Sequence, residues 1–156
     1  MEITLEWHAL IPLRDGSDGH MIYNCEENNI PTTAGIYIFA RRFGGAVTPL
    51  YSGQAKHLRS RIKVQLNNMK LMMRFKNAKK VGGGVLLVAT LKPGPGQQVA
   101  RLLNIVERAY IEQAQSKSYK LLNVVHAKPK FHQIVSHGKK KSHAPFAREY
   151  EYRARK

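Results

Sequence analysis

The sequence predicts an α+β domain: a small antiparallel or mixed sheet of about three strands flanked by helices, with a strand-rich N-terminal extension and a basic C-terminal arm. Three observations predict it. Ala34-Gly-Ile-Tyr-Ile-Phe-Ala40 and Leu50-Tyr51 lie on either side of Gly44-Gly45, the pattern of a β-hairpin with a loop from Arg41 to Thr48. From Gln54 to about Asn77 there is no Gly or Pro, and apolar residues fall at 55, 58, 62, 66, 69 and 73, which is helical spacing. Val85 to Leu91 is a short apolar run suited to a buried strand. Gln97 to Ser116 then places Val99, Leu102, Leu103, Val106 and Tyr110 on one helical face.

The remaining segments follow in order. Ile3, Leu5, Trp7 and Ala9 alternate with polar residues as in a half-buried strand, Asp15 to Gly19 reads as a turn, and Met21-Ile-Tyr23 returns as a short strand. Residues 1–30 are therefore read as an acidic N-terminal extension, 31–126 as the main domain and 127–156 as a basic arm. Gly82-Gly-Gly84 ends the first helical segment, and Pro93-Gly-Pro-Gly96 is a loop before the second.

Charge is the strongest compositional signal. The 156 residues carry 26 Lys+Arg and 10 Asp+Glu, a net charge of +16. Residues 1–40 hold six acids and one base, whereas 41–156 hold 25 bases and four acids. Between Glu27 and Glu107 there is no acid at all. Such a surface attracts polyanions, of which nucleic acid is the commonest. The one cysteine, Cys25, excludes an intrachain disulfide framework or a cysteine zinc site. No apolar run approaches the ~20 residues of a membrane span. With no signal-peptide pattern at the start, the expectation is a cytoplasmic protein without membrane partners.

Scarce carboxylates narrow the search for chemistry. Glu112 follows Arg108 by four residues, the spacing of a surface ion pair. Glu107 lies at the edge of the apolar stripe, where a carboxylate is partly desolvated. It is either an ion-pair partner for a nearby base or a ligand for one divalent ion that keeps its waters and takes substrate phosphate. On the first helical segment, Lys56, Arg59, Lys63, Lys70 and Arg74 form one stripe, either a phosphate-tracking surface or a solvated face. Arg61 falls on the opposite flank with Gln54 and His57, towards the hairpin, and its planar fork suits a phosphate. Tyr37 and Tyr51 are either packing residues or, among so many cations, phenols with lowered pKa that act on water.

Gly35-Ile-Tyr37, then Leu50-Tyr-Ser-Gly-Gln-Ala-Lys-His-Leu-Arg-Ser-Arg61, then Glu107 and Leu122-Asn123 form an ordered set over residues 33–125. This set resembles the GIY-YIG nuclease superfamily. The resemblance implies a metal-dependent endonuclease that hydrolyses DNA phosphodiester bonds on a small sheet flanked by helices. It implies Tyr37, Tyr51, Arg61 and Glu107 as catalytic residues, with Glu107 holding one Mg²⁺ or Mn²⁺. Gly35, Gly53, His57 and Asn123 are in support. Either tyrosine, or His57, takes the proton of the attacking water. Three features depart from the family pattern: Ser52 stands at a usually apolar position, the hairpin is longer, and Gln54 stands where some relatives have Lys.

The expected partner is DNA, double-stranded or branched, with RNA left open. Arg41, Arg42, Lys56, Arg59, Lys63, Lys139, Lys140 and Lys141 are the candidate contacts. The His residues of the tail, unaccompanied by Cys or acid, read as solvated. The alternative reading is a non-catalytic nucleic-acid-binding protein on the same fold.

Overall fold

The computed structural model describes residues 1–78, 80–123, 131–138, 146–147 and 149–153, the side chains of 131–133 and 151–153 apart. Its strands are β1 (Glu2–Trp7), β2 (Ile11–Pro12), β3 (Arg14–Asp15), β4 (Tyr23–Asn24), β5 (Gly35–Phe43), β6 (Ala46–Ala55), β7 (Gly83–Lys92), β8 (Phe131–Gly138) and β9 (Glu149–Arg153). Its helices are α1 (Leu58–Leu66), α2 (Met69–Asn77) and α3 (Val99–Ser116).

The class is α+β as expected, but the sheet is not the small three-stranded one the sequence predicts. Seven strands form one curled mixed sheet in the order β6-β5-β7-β1-β8-β9, with β2 also on β7; β3 and β4 form a separate pair. Both predicted appendages enter the main sheet. β1 lies antiparallel to β7 and parallel to β8, and β9 pairs antiparallel with β8. The acidic extension thus supplies β1, an inner strand, and the short β2 on β7, and the basic arm supplies β8 and the edge strand β9.

Period-2 alternation sorts the side chains onto two faces. Ile36, Ile38 and Ala40 of β5 join Ile3, Leu5, Trp7, Leu87, Ala89 and the apolar face of α3. Tyr37 and Phe39 point the other way and meet Leu58, Ile62, Leu71, Met72 and Phe75 of α1 and α2. The sheet is therefore sandwiched between α3 on one face and α1–α2 on the other.

Two local predictions are corrected. The Arg41–Thr48 loop is instead a two-residue turn at Gly44-Gly45, with Arg42 opposite Val47 and Phe43 opposite Ala46. Gly44 takes the positive φ of 57° that such a turn demands. The single helix expected from Gln54 to Asn77 is two. Gln54 and Ala55 finish β6, and the Asn67-Asn68 pair breaks the remainder. The Asn68 side chain accepts the Leu71 amide at 3.1 Å and caps α2. After that break the phase shifts, so Met69 and Met73 are exposed while Leu71, Met72 and Phe75 are buried. Among the described residues no helix is long and apolar enough to cross a membrane.

Candidate active site

The hairpin places the two motif tyrosines on the α1 face of the sheet. Tyr37 pairs across with Gly53, and Phe39 with Tyr51. A side chain at Gly53 would overlap the Tyr37 ring, so glycine there lets the ring lie flat across β6. The two tyrosine rings stack at 6.3 Å between centroids. Gly35 is needed for a similar reason: a Cβ there would overlap the Ala89 carbonyl of β7.

One residue that sequence reasoning missed joins the tyrosines. Gln65, buried on α1, donates its amide to the Tyr37 hydroxyl at 2.8 Å and to the Tyr51 hydroxyl at 3.3 Å. A polar residue one turn beyond Ile62 and two beyond Leu58 in an apolar stripe was the available signal, because a buried amide is retained only with partners. Both hydroxyl oxygens accept from Gln65, which leaves each O–H free to donate elsewhere.

Tyr37 is 1% exposed. Burial pushes its phenol up to about 12, against weaker opposing effects of the Gln65 hydrogen bond and Arg61. The lowered pKa entertained from the abundance of cations does not arise at Tyr37, because desolvation outweighs them. It is a neutral hydrogen-bonding group at physiological pH. Tyr51 is the more accessible of the pair.

Beyond the edge strand β6, the α3 face contributes the carboxylate. Gln54 donates to Asn104 Oδ1 at 2.8 Å. Glu107 is half-buried one turn further along α3. Burial raises its carboxyl above the ordinary range, opposed by a hydrogen bond from Gln54 and by the charges of Arg108 and Arg61. Asn104 is a second residue the sequence reading missed. Arg61 is exposed on α1, and its charge acts on both Tyr37 and Glu107. Arg61, His57, Gln54, Lys56 and Ser60 line an open depression of about 320 Å³ around the start of α1.

Asn123 completes the edge. Its side chain accepts the Ser52 amide at 3.2 Å and donates to the Ser52 carbonyl at 2.7 Å, as a neighbouring strand would. The Leu122 amide likewise donates to the Leu50 carbonyl at 2.6 Å. Ser52 is 1% exposed, and its hydroxyl has no partner among the described residues.

The predicted cationic contacts divide. Arg42 and Lys56 are exposed. Arg41 is buried and is removed from that surface: its guanidinium donates to the Phe75 and Lys76 carbonyls at the end of α2 and lies 4.6 Å over the Phe75 ring. Arg59 donates Nε–H to the Ile30 carbonyl at 2.9 Å, and Lys63 pairs with Glu27 at 3.2 Å. Lys139, Lys140 and Lys141 lie outside the described residues.

Among the described residues there is no group of three or more His, Cys, Asp or Glu side chains suited to a metal. One half-buried carboxylate whose charge is incompletely compensated fits a single hard cation that keeps most of its waters.

Two buried phenols set an alkaline limit. Burial pushes Tyr110 up to about 12, as it does Tyr37. A folded-state pKa above the ordinary 10.0 leaves stability intact below pH 10 and removes it as pH rises towards 12. Each phenol accounts for roughly 2–3 kcal/mol over that window. In an ultraviolet absorbance titration followed alongside circular dichroism, Tyr37 and Tyr110 should ionise above pH 10 and together with unfolding. Ionisation of Tyr37 and Tyr110 near pH 10 in the folded protein would contradict the burial.

No protein-family model, no curated protein and no solved structure matches this chain.

Proposed function

We propose that the chain is a metal-dependent endonuclease hydrolysing phosphodiester bonds of DNA, with the mechanism of the GIY-YIG superfamily it resembles. The observation that carries this reading is the position of Arg61. Its charge acts at once on the Gln65-linked tyrosine and on the half-buried Glu107, groups from opposite faces of the sheet that meet around β6. A packing role for two tyrosines explains their burial but not an arginine and a carboxylate gathered beside them.

In this reading Arg61 grips the phosphate bidentately and neutralises the charge that develops on its oxygens. Tyr51 donates its free O–H to the attacking water or to phosphate, and Tyr37 holds it through Gln65. Tyr37 is not the general base, since its phenol stays protonated. His57, exposed at the start of α1, and Tyr51 are left for that role. Glu107 holds one Mg²⁺ or Mn²⁺, which when bound supplies positive charge to a phosphoryl oxygen. Arg42 and Lys56 add sequence-independent affinity for the backbone.

Purified protein incubated with plasmid DNA and Mg²⁺ should nick or linearise it, and a chelator should stop the reaction. Arg61→Lys should lower the single-turnover rate by ~10²–10³, the usual cost of losing one transition-state contact. The point-charge ammonium cannot reproduce the guanidinium fork. Arg59→Ala, which frees the Ile30 carbonyl, should instead lower the melting temperature and leave turnover at saturating DNA near normal. Binding without any cleavage, under either metal, would favour the non-catalytic alternative.

A further inference from the structure

The tip of the β5–β6 hairpin carries two of the most exposed large apolar side chains among the described residues. Phe43 is 66% exposed immediately before the Gly44-Gly45 turn, and Val81 is 73% exposed in the segment leading to β7. The two backbone segments lie close together. Gly82 has φ of 107°, and a Cβ there would overlap the Arg42 carbonyl, so only glycine lets this segment press against β5. Around the apolar pair stand exposed Arg42 and Lys80. Neither segment of the tip contains a carboxylate. Asp15, on the neighbouring β3–β4 pair, accepts the Ser17 amide at 2.9 Å.

We propose that this tip is a stacking wedge for nucleic acid: Phe43 lies on a base face, and Arg42 and Lys80 hold the flanking phosphates. This rests on the nucleic-acid part of the function proposed above and names the feature of the substrate it reads, an accessible base stack. Charge complementarity selects the occupant. An exposed aromatic flanked in sequence by exposed cations, in segments without a carboxylate, matches an unstacked or kinked step, where a π face lies between two phosphates. From Tyr37 to Phe43 the strand advances six residues, about 20 Å at the rise of a β-strand. That distance corresponds to about six nucleotide steps of B-DNA. The wedge therefore engages the nucleic acid away from the tyrosine end of β5 and not at it. The preferred substrate is DNA already weakened there, by a mismatch or a branch.

The test is equilibrium binding of the full chain, in chelator, to a duplex carrying 2-aminopurine at successive positions beside a single mismatch. The wild type should brighten or quench the probe at one position. Phe43→Ala should abolish that change and weaken binding by about 5- to 100-fold, with the salt dependence unchanged because no phosphate contact is lost. Phe43→Trp should keep both the signal and the affinity. Arg42→Ala should reduce the slope of log Kd against log salt by about one. Because chelator prevents cutting, these results stand whether or not the protein proves to be a nuclease. Equal affinity of wild type and Phe43→Ala overturns the wedge, as does loss of affinity accompanied by a shallower salt slope. Phe43-dependent binding to phosphatidylserine vesicles with unchanged DNA binding also overturns it and assigns the tip to membranes.

Discussion

A chain lacking residues 139–156 should lose most of its stability, although the same tail has the composition of a solvated nucleic-acid-binding arm. The deletion removes β9, the antiparallel partner of β8, and with it Phe146. Phe146 is 4% exposed, stacks on Trp7 at 6.4 Å and meets Tyr110 edge-on at 4.6 Å. The next residue, Ala147, donates its amide to the buried Gln113 side chain at 3.0 Å. Phe146→Ala alone should cost about 3–5 kcal/mol, a large share of the 5–15 kcal/mol that a typical domain has. Urea unfolding monitored by near-ultraviolet circular dichroism compares the three proteins. Phe146→Ala should lower the midpoint with its slope kept, and the truncated chain should lack a cooperative transition at 25 °C or show one at much lower urea. A truncated chain with the full-length midpoint would restore the view of the tail as a separable arm. Loss of DNA binding on truncation would then report lost cations rather than lost fold.

The sheet was under-counted because strand pairing is a long-range property. Ile3, Leu5 and Trp7 alternate as a strand should, and all three are buried. Nothing local says that their partners are Lys92 to Ala89 on one side and residues 133–138 on the other. The acidic character of residues 1–30 argued for a separate segment. Charge, however, sits on the outward positions of β1, such as Glu6, which pairs with Lys92 at 3.1 Å. In the tail, inward Ile134 is followed by inward Ser136, whose hydroxyl bonds the Tyr110 hydroxyl at 2.7 Å. A buried polar pair of this kind hides a strand from any hydrophobic pattern. By contrast α3 was legible, since its core contacts come from a stripe within one helix.

The site was legible as residue types at fixed offsets and illegible as a hydrogen-bond network. Tyr37, Tyr51 and Arg61 are near in sequence and in space, so their spacing carried most of the information. Gln65 bonds both tyrosines, yet glutamine on a helix carries no chemical signature of its own. Arg41 and Arg42 are adjacent and equally basic. Alternation in β5 sends Arg41 under α2 and Arg42 to solvent, a difference that requires the strand to continue through the supposed loop.

Glu107→Gln should bring cleavage down to that of the wild type in chelator, a loss of several kcal/mol of transition-state stabilisation. The amide keeps the volume of the carboxylate, so the packing of α3 against β6 is preserved. What it removes is the one anionic oxygen donor of the site among the described residues, without which a hard divalent ion is held weakly. Binding to uncut duplex should be kept or improve, because a negative charge leaves a surface that faces phosphate. Burial opposes ionisation of Glu107, so the melting temperature in chelator should stay level or rise. A loss of activity through misfolding predicts the reverse. Calorimetric titration with Mn²⁺ supplies the independent readout: heat of binding in the wild type, none in Glu107→Gln. Glu112→Ala, five residues along the same helix, should change none of these quantities. Equal loss from both variants, or Mn²⁺ binding unaffected by Glu107→Gln, would remove Glu107 from the metal site and with it the proposed source of charge opposite Arg61.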